Sequence, residues 1–234
     1  MSSFFRGLRS GVPIGLGYLS VSFSFGILAV SYGFEWWQAV LVSMTTLTSA
    51  GQLAGINMML MPGRYLEMLL SQFTINIRYS FMSVSLSQKT SKEFKGIRRW
   101  IFGFFMTDEI FAVASNEEEV STGFFAGLTV FPYLGWSFGT LFGAVMGNIL
   151  PESVMNALCL AIYGMFIAII VPKVKSSISM FVAVAFAVTL SNHFYYLPVL
   201  SQIPFGVAIS VCAVASAALV AILFPVKEDE SNAG

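Results

Sequence analysis

Long stretches of this chain carry no charge, and that limits its possible folds more than any motif does. No Asp, Glu, Lys or Arg occurs between Arg9 and Glu35, between Glu35 and Arg64, between Glu119 and Glu152, between Glu152 and Lys173, or between Lys175 and Lys227. Each interval can hold an apolar run of the roughly 20 residues that cross a bilayer core as a helix. With 56% hydrophobic residues and only 10% charged, an ordinary soluble domain is excluded. The predicted fold class is all-α, a polytopic helical membrane protein, with residues 1–226 as a single integral membrane domain and 227–234 as a polar tail. Net charge is zero, which leaves no basic footprint for nucleic acid; the surroundings implied are a lipid bilayer.

Eight hydrophobic segments follow: Val12 to Tyr32, Trp36 to Met61, Leu66 to Leu86, Trp100 to Ser115, Val120 to Leu150, Val154 to Val171, Ile178 to Leu200 and Ile203 to Val226. Seven to eight segments are expected in all, one or two of them broken or re-entrant. In the fourth, about ten apolar residues at roughly −0.5 kcal/mol each are offset by two acids, Asp108 and Glu109, at about +2.5 to +3.5 kcal/mol each. That segment is expected to lean on the bundle or enter partway. The middle of the second, from Thr46 to Gly55, is small and polar enough to break. The dense basic run Lys89, Lys92, Lys95, Arg98, Arg99 places the loop between the third and fourth segments in the cytoplasm by the positive-inside rule; the side of the N-terminus stays open. Tyr18, Leu19, Ser22, Phe23, Ala29 and Val30 recur in order as Tyr133, Leu134, Ser137, Phe138, Ala144 and Val145, a faint internal repeat of the kind transporters use around a midplane site.

Three ionisable residues, Arg78, Asp108 and Glu109, sit inside lipid-like stretches. Charge in hydrocarbon is expensive, so it is paired and marks function. An always-charged, fork-shaped donor at position 78 suits a carboxylate, whether that of Asp108, of Glu109 or of a substrate. Asp108 and Glu109 are neighbours, about 100° apart on a helix, so they cannot both face one partner. One acid is expected to balance Arg78, with Asp108 favoured because a shorter side chain loses less entropy when fixed. The other is then free to take up a proton. Gln52, within Thr45, Thr46, Thr48, Ser49, Gly51 and Gly55, is an amide that needs a partner or ligand in a bilayer; it is expected to face the cavity of Arg78, while its small neighbours also suit tight helix packing. His193, beside Tyr195 and Tyr196, reads as a membrane-edge residue or a proton relay. Cys159 and Cys212 lie in apolar runs without metal-ligand spacing and read as packing residues. No metal or cofactor is expected, and enzyme signatures such as H-E-x-x-H, the P-loop and G-x-S-x-G do not occur.

At these same residues the chain resembles the AzlC family, the large subunit of two-component branched-chain amino acid exporters. The most specific piece is Thr107-Asp108-Glu109-Ile110-Phe111-Ala112, similar to the family's T-D-E-x-F-A block. Supporting it are Arg6-Gly7-Leu8-Arg9 leading to Pro13, the stretch from Gly17-Tyr18-Leu19 to Phe25-Gly26, Asn76-Ile77-Arg78-Tyr79 and Ala50-Gly51-Gln52. Ser20 stands where the family commonly has proline, and Tyr79 where it commonly has histidine. The resemblance implies a multi-pass protein of the bacterial cytoplasmic membrane that exports amino acids together with a small AzlD-like membrane subunit. A zwitterionic amino acid needs a carboxylate partner, an ammonium partner and an apolar pocket. The expected substrate-binding set is Gln52, Asn76, Arg78, Asp108 and Glu109, with Glu109 or Asp108 coupling export to the proton gradient. Uptake of the same substrates, and a non-transporting scaffold that docks a partner subunit, are the alternatives.

Overall fold

Among the described residues, helices occupy nearly all of the apolar segments, and they stop where the sequence turns small or polar. The computed structural model describes residues 2–146, 151, 153, 167, 170–172 and 174–225. In chain order the helices are α1 (Ser3–Ser31), α2 (Trp36–Thr45), α3 (Ser49–Met59), α4 (Tyr65–Ser87), α5 (Ile97–Phe104), α6 (Asp108–Ala114), α7 (Thr122–Met146), α8 (Ile178–Tyr196) and α9 (Phe205–Leu223), with a 3-10 turn at Leu200–Gln202. Among the described residues there is no strand. α1, α7, α8 and α9 are long and apolar enough to cross a membrane. α4, at 23 residues, reaches about 34 Å at 1.5 Å per residue. Most of the sixth segment, Cys159 included, and the polar tail lie outside the described residues.

The second segment, expected to break, does so, and the fourth, expected to lean on the bundle or enter partway, is divided into two short helices. The second splits into α2 and α3 around Thr46, Leu47 and Thr48, and the fourth into α5 and α6 around Phe105, Met106 and Thr107. α5 has 8 residues and α6 has 7, too few for either to cross a core of about 30 Å.

Contacts group the chain into two compact units, Met1–Ile56 with Asn76–Met165, and Asn57–Ile75 with Phe166–Gly234. The first is built on α1 and α7, which run parallel: Gly7 lies against Phe124 and Leu128, and Gly26 against Thr140 and Ala144. Gly7, Gly11, Gly15 and Gly26 on α1 and Gly127, Gly135, Gly139 and Gly143 on α7 are buried. A Cβ at any of them would collide with the facing helix. Such glycine faces let helix backbones meet in a membrane, where association rests on close packing and not on water exclusion. The Ser22 hydroxyl donates across the seam to Gly135 O at 3.3 Å, and Ser43 on α2 lies 2.7 Å from Thr140 Oγ1 on α7. Both members of the sequence repeat thus fall on these two helices.

One end of this unit is tied by polar contacts. Arg6 pairs with Glu117, Lys89 Nζ donates to Ser115 O at 2.7 Å, Val120 N donates to Lys89 O at 2.8 Å, and Thr122 donates to Glu93 at 3.0 Å. The start of α1 and the loops before α5 and α7 therefore share one end. Beneath them Phe94, Phe102 and Phe125 meet at centroid distances of 5.1–5.7 Å, within a core that includes Leu86, Ile110, Val120 and Phe124.

In the second unit α8 and α9 pack together through the 3-10 turn. Glu67, only 8% exposed, accepts from Gly206 N at 2.9 Å and pairs with Arg64 at 3.3 Å. It caps the start of α9, where Pro204 leaves the chain extended. Thr74 donates to Ser210 at 3.0 Å. His193 is exposed near the end of α8 beside exposed Tyr195 and Tyr196, its Nδ1 2.7 Å from Thr189 O, the membrane-edge setting. Cys212 is a free, half-buried thiol on α9.

Candidate functional site

Thr107 starts the site. Its extended backbone (φ −131°, ψ 169°) ends the irregular stretch after α5, and its side chain caps α6 by accepting from Ile110 N. The two acids are thereby set in the first turn of α6, where free amide N–H groups favour negative charge. Side chains one residue apart diverge by about 100°, and each acid finds a different helix. Asp108 accepts from Arg78 Nη1 on α4. Glu109 accepts from the hydroxyl of Tyr18 on α1, whose Oη is also 2.7 Å from Thr107 Oγ1. Arg78 is further held by Tyr79: Nη2 donates to the phenol oxygen at 3.1 Å, and the guanidinium lies 4.8 Å from the ring centroid, within cation–π range.

The ion pair is not sealed, contrary to the expectation of a buried charge cluster. The side chains of Arg78 and Asp108 are 44% and 42% exposed, and Glu109 is exposed as well. An open pair of this kind is worth little as a stabilising contact.

Gln52 sits elsewhere, which corrects the expectation that it shares the cavity of Arg78. Its amide nitrogen reaches back over the break between α2 and α3 to Thr46 O at 3.1 Å, Thr46 Oγ1 at 3.2 Å and Ser43 Oγ at 3.2 Å. Backbone freed at a helix break must be satisfied inside a membrane protein, and this amide does it. Gln52 lines a narrow crevice with Val21, Phe25, Ser49, Leu53 and Trp136 that leaves no room for a water molecule. Both Gln52 and Trp136 are 3% exposed. Gln52 Oε1 and Trp136 Nε1 are buried without a hydrogen-bond partner among the described residues. A ring contact then joins this space to the acids: Trp136 meets Tyr18 edge-on at 5.3 Å, and Tyr18 holds Glu109. Asn76 is half-buried on α4, about 200° around the helix from Arg78.

Tyr18, Thr107 and Trp136 are members of the site that reasoning on charged residues alone passes over. The usable signal was chemical, since a Tyr or Trp in an apolar helix still needs a partner for its polar atom.

Comparison with known proteins agrees with the site's position in the chain. The model of the AzlC protein family matches residues 13–150, a span that contains Tyr18, Gln52, Arg78, Thr107, Asp108, Glu109 and Trp136. An uncharacterized membrane protein of Archaeoglobus fulgidus is 34% identical over 178 residues, 74% of this chain and 76% of that protein. The inner membrane protein YgaZ of Escherichia coli is 28% identical over 153 residues, 63% of this chain and 62% of YgaZ. An uncharacterized membrane protein of Helicobacter pylori is 24% identical over 159 residues, 63% of this chain and 68% of its own length. No solved structure matches significantly. With its helical membrane architecture and a family match over most of its length, the chain belongs to the AzlC family of membrane proteins, which is linked to amino acid transport.

Proposed function

We propose that the protein is the large subunit of a secondary transporter that exports branched-chain and related hydrophobic amino acids across the cytoplasmic membrane, driven by the proton gradient and working with a small AzlD-like membrane subunit. The observation that carries this is the division of the two acids of α6. Asp108 is held by a cation, Arg78; Glu109 is held by a neutral hydroxyl, Tyr18. A carboxylate already matched to a guanidinium keeps its charge through the cycle. One held by a phenol can exchange its charge for a proton without leaving a guanidinium unpaired.

Substrate recognition follows from what remains unspent. A zwitterion offers an ammonium donor and a carboxylate acceptor, and Gln52 Oε1 and Trp136 Nε1 are an acceptor and a donor with capacity left. Phe25, Val21 and Leu53 supply apolar walls around them. The crevice has no room for a water molecule as described, so admission requires the break between α2 and α3 to move, as broken helices do in transporters. Arg78 and Asp108 join the substrate when they part. Orientation is supported by the shared end of the first unit. Placing it in the cytoplasm puts Arg6 and Arg9 together with the Lys89 to Arg99 run on the positive side.

Counterflow and pH-driven export in proteoliposomes test this. Glu109→Gln is expected to abolish proton-driven accumulation while sparing one-for-one amino acid exchange, and Asp108→Asn to lose both. A scaffold would move no amino acid in either assay. Export by the unmodified protein that ignores an imposed pH gradient would remove the proton role from Glu109.

A further inference from the structure

α5 contributes no buried residue, yet it is one of the most ordered patterns in the chain. Phe102 docks it on Phe94 and Phe125. On the opposite side Ile97, Trp100, Ile101 and Phe104 form a stripe at helical spacing, 70%, 82%, 51% and 41% exposed. Eight residues cannot cross a bilayer, so a stripe directed away from the protein must be met at the surface of the membrane. Immediately before and within the helix lie Lys92, Lys95, Arg98 and Arg99, all exposed. None has a carboxylate within salt-bridge distance among the described residues. Arg98 and Arg99 each direct one N–H to a carbonyl of their own loop, Glu93 O and Phe94 O, leaving most of a five-donor fork free. Arg99 also lines a recess of about 100 Å³ whose polar edge is Ser83, Ser87 and Thr90 and whose remaining wall is mostly apolar.

We propose that α5 lies in the membrane plane and binds an anionic phospholipid. Ile97, Trp100 and Phe104 rest against its acyl chains, while Arg98 and Arg99, with Lys92 and Lys95, hold its phosphate. Apolar stripe and cationic flank on one short helix are the two components of interfacial binding. Four cations without counter-charge beside that stripe fit an anionic headgroup layer, to which each basic residue adds about fivefold in binding. A neighbouring protein helix would be met by the stripe alone and would leave the four cations unanswered. The site contains none of the residues assigned to substrate or proton, Gln52, Arg78, Asp108, Glu109 and Trp136, so the two readings fail separately.

The test uses the purified full chain with phosphatidylglycerol and phosphatidylcholine as probes. Native mass spectrometry should show phosphatidylglycerol retained in preference to phosphatidylcholine. Arg98→Gln/Arg99→Gln should weaken that preference about thirtyfold, at about fivefold for each charge removed, while Arg98→Lys/Arg99→Lys keeps most of it. In mixed vesicles, lipids brominated on the acyl chain should quench the part of the fluorescence that Trp100→Phe removes. Equal retention of the two lipids, or a double Gln variant that binds as the unmodified protein does, overturns the proposal. An unquenched Trp100 also overturns it and assigns the stripe to a protein partner. Should the Gln variant fail to fold, salt titration of the unmodified protein decides, because a headgroup contact must weaken as the Debye length falls from about 10 Å at 0.1 M to about 3 Å at 1 M.

Discussion

Replacing Gly135 by alanine tests whether α1 and α7 meet backbone to backbone, and the same change at Gly17 is its control. Alanine is favoured over glycine inside a helix by about 1 kcal/mol. At Gly17 nothing lies within 4 Å of where a Cβ would stand, so Gly17→Ala should gain up to that amount. At Gly135 the Cβ would lie 2.9 Å from the carbonyl carbon of Gly15 and nearer still to its oxygen. Favourable contact begins at about 3.5 Å, so the helices must part by about 1 Å there. A gap of that size forfeits about a quarter to a half of the dispersion energy of the neighbouring contacts, and overpacking of this kind costs about 1–3 kcal/mol. Both variants share the propensity gain, so the difference between them isolates the clash. At about 2–4 °C per kcal/mol for a chain of this size, Gly135→Ala should unfold about 2–12 °C below Gly17→Ala. Thermal unfolding in detergent, followed by loss of the monodisperse size-exclusion peak, reads this directly. Equal midpoints would show that α1 and α7 do not touch through their glycine faces.

Further tests follow from single contacts. Tyr18→Phe keeps the ring against Trp136 and removes the hydroxyl from Glu109; a hydrogen bond to a charged group is worth about 1.5–3 kcal/mol, so proton-driven export should fall about ten- to a hundredfold, and unchanged export would separate Tyr18 from coupling. Glu67→Ala removes the cap of α9 and should cost about 0.5–2 kcal/mol, with Glu67→Gln closer to the unmodified protein because it retains an acceptor. Matching thermal midpoints for all three proteins would assign Glu67 no capping role. Cysteines placed singly at Ser3 and Ser91 should both resist an impermeant thiol reagent in intact cells and react after permeabilisation, because both positions lie at the end tied by Arg6–Glu117 and Lys89–Ser115. Labelling of one from outside and not the other would break the parallel arrangement of α1 and α7.

Much of this protein is written in local sequence. The uncharged runs dictate membrane helices because hydrocarbon tolerates neither bare charge nor unpaired backbone. The small polar middle of the second segment announces a break, and the two acids of the fourth announce a segment that does not cross alone, for the same reason. That Asp108 and Glu109 must take different partners is a matter of helix geometry, and the preference of Arg78 for the shorter acid needs no more than side-chain length. What local sequence does not carry is which distant surfaces meet. Tyr18 reaches Glu109 across 91 positions, Gln52 turns toward its own helix break and Trp136 instead of Arg78, and the glycines of α1 find those of α7 in parallel, which brings Arg6 and Arg9 to the end of the basic loop. Patterns of charge and hydropathy repeat within one helix, so they report the energy of each helix in lipid. Pairing between helices depends on the shape left when side chains are missing or small, and that shape exists only once two helices are packed together.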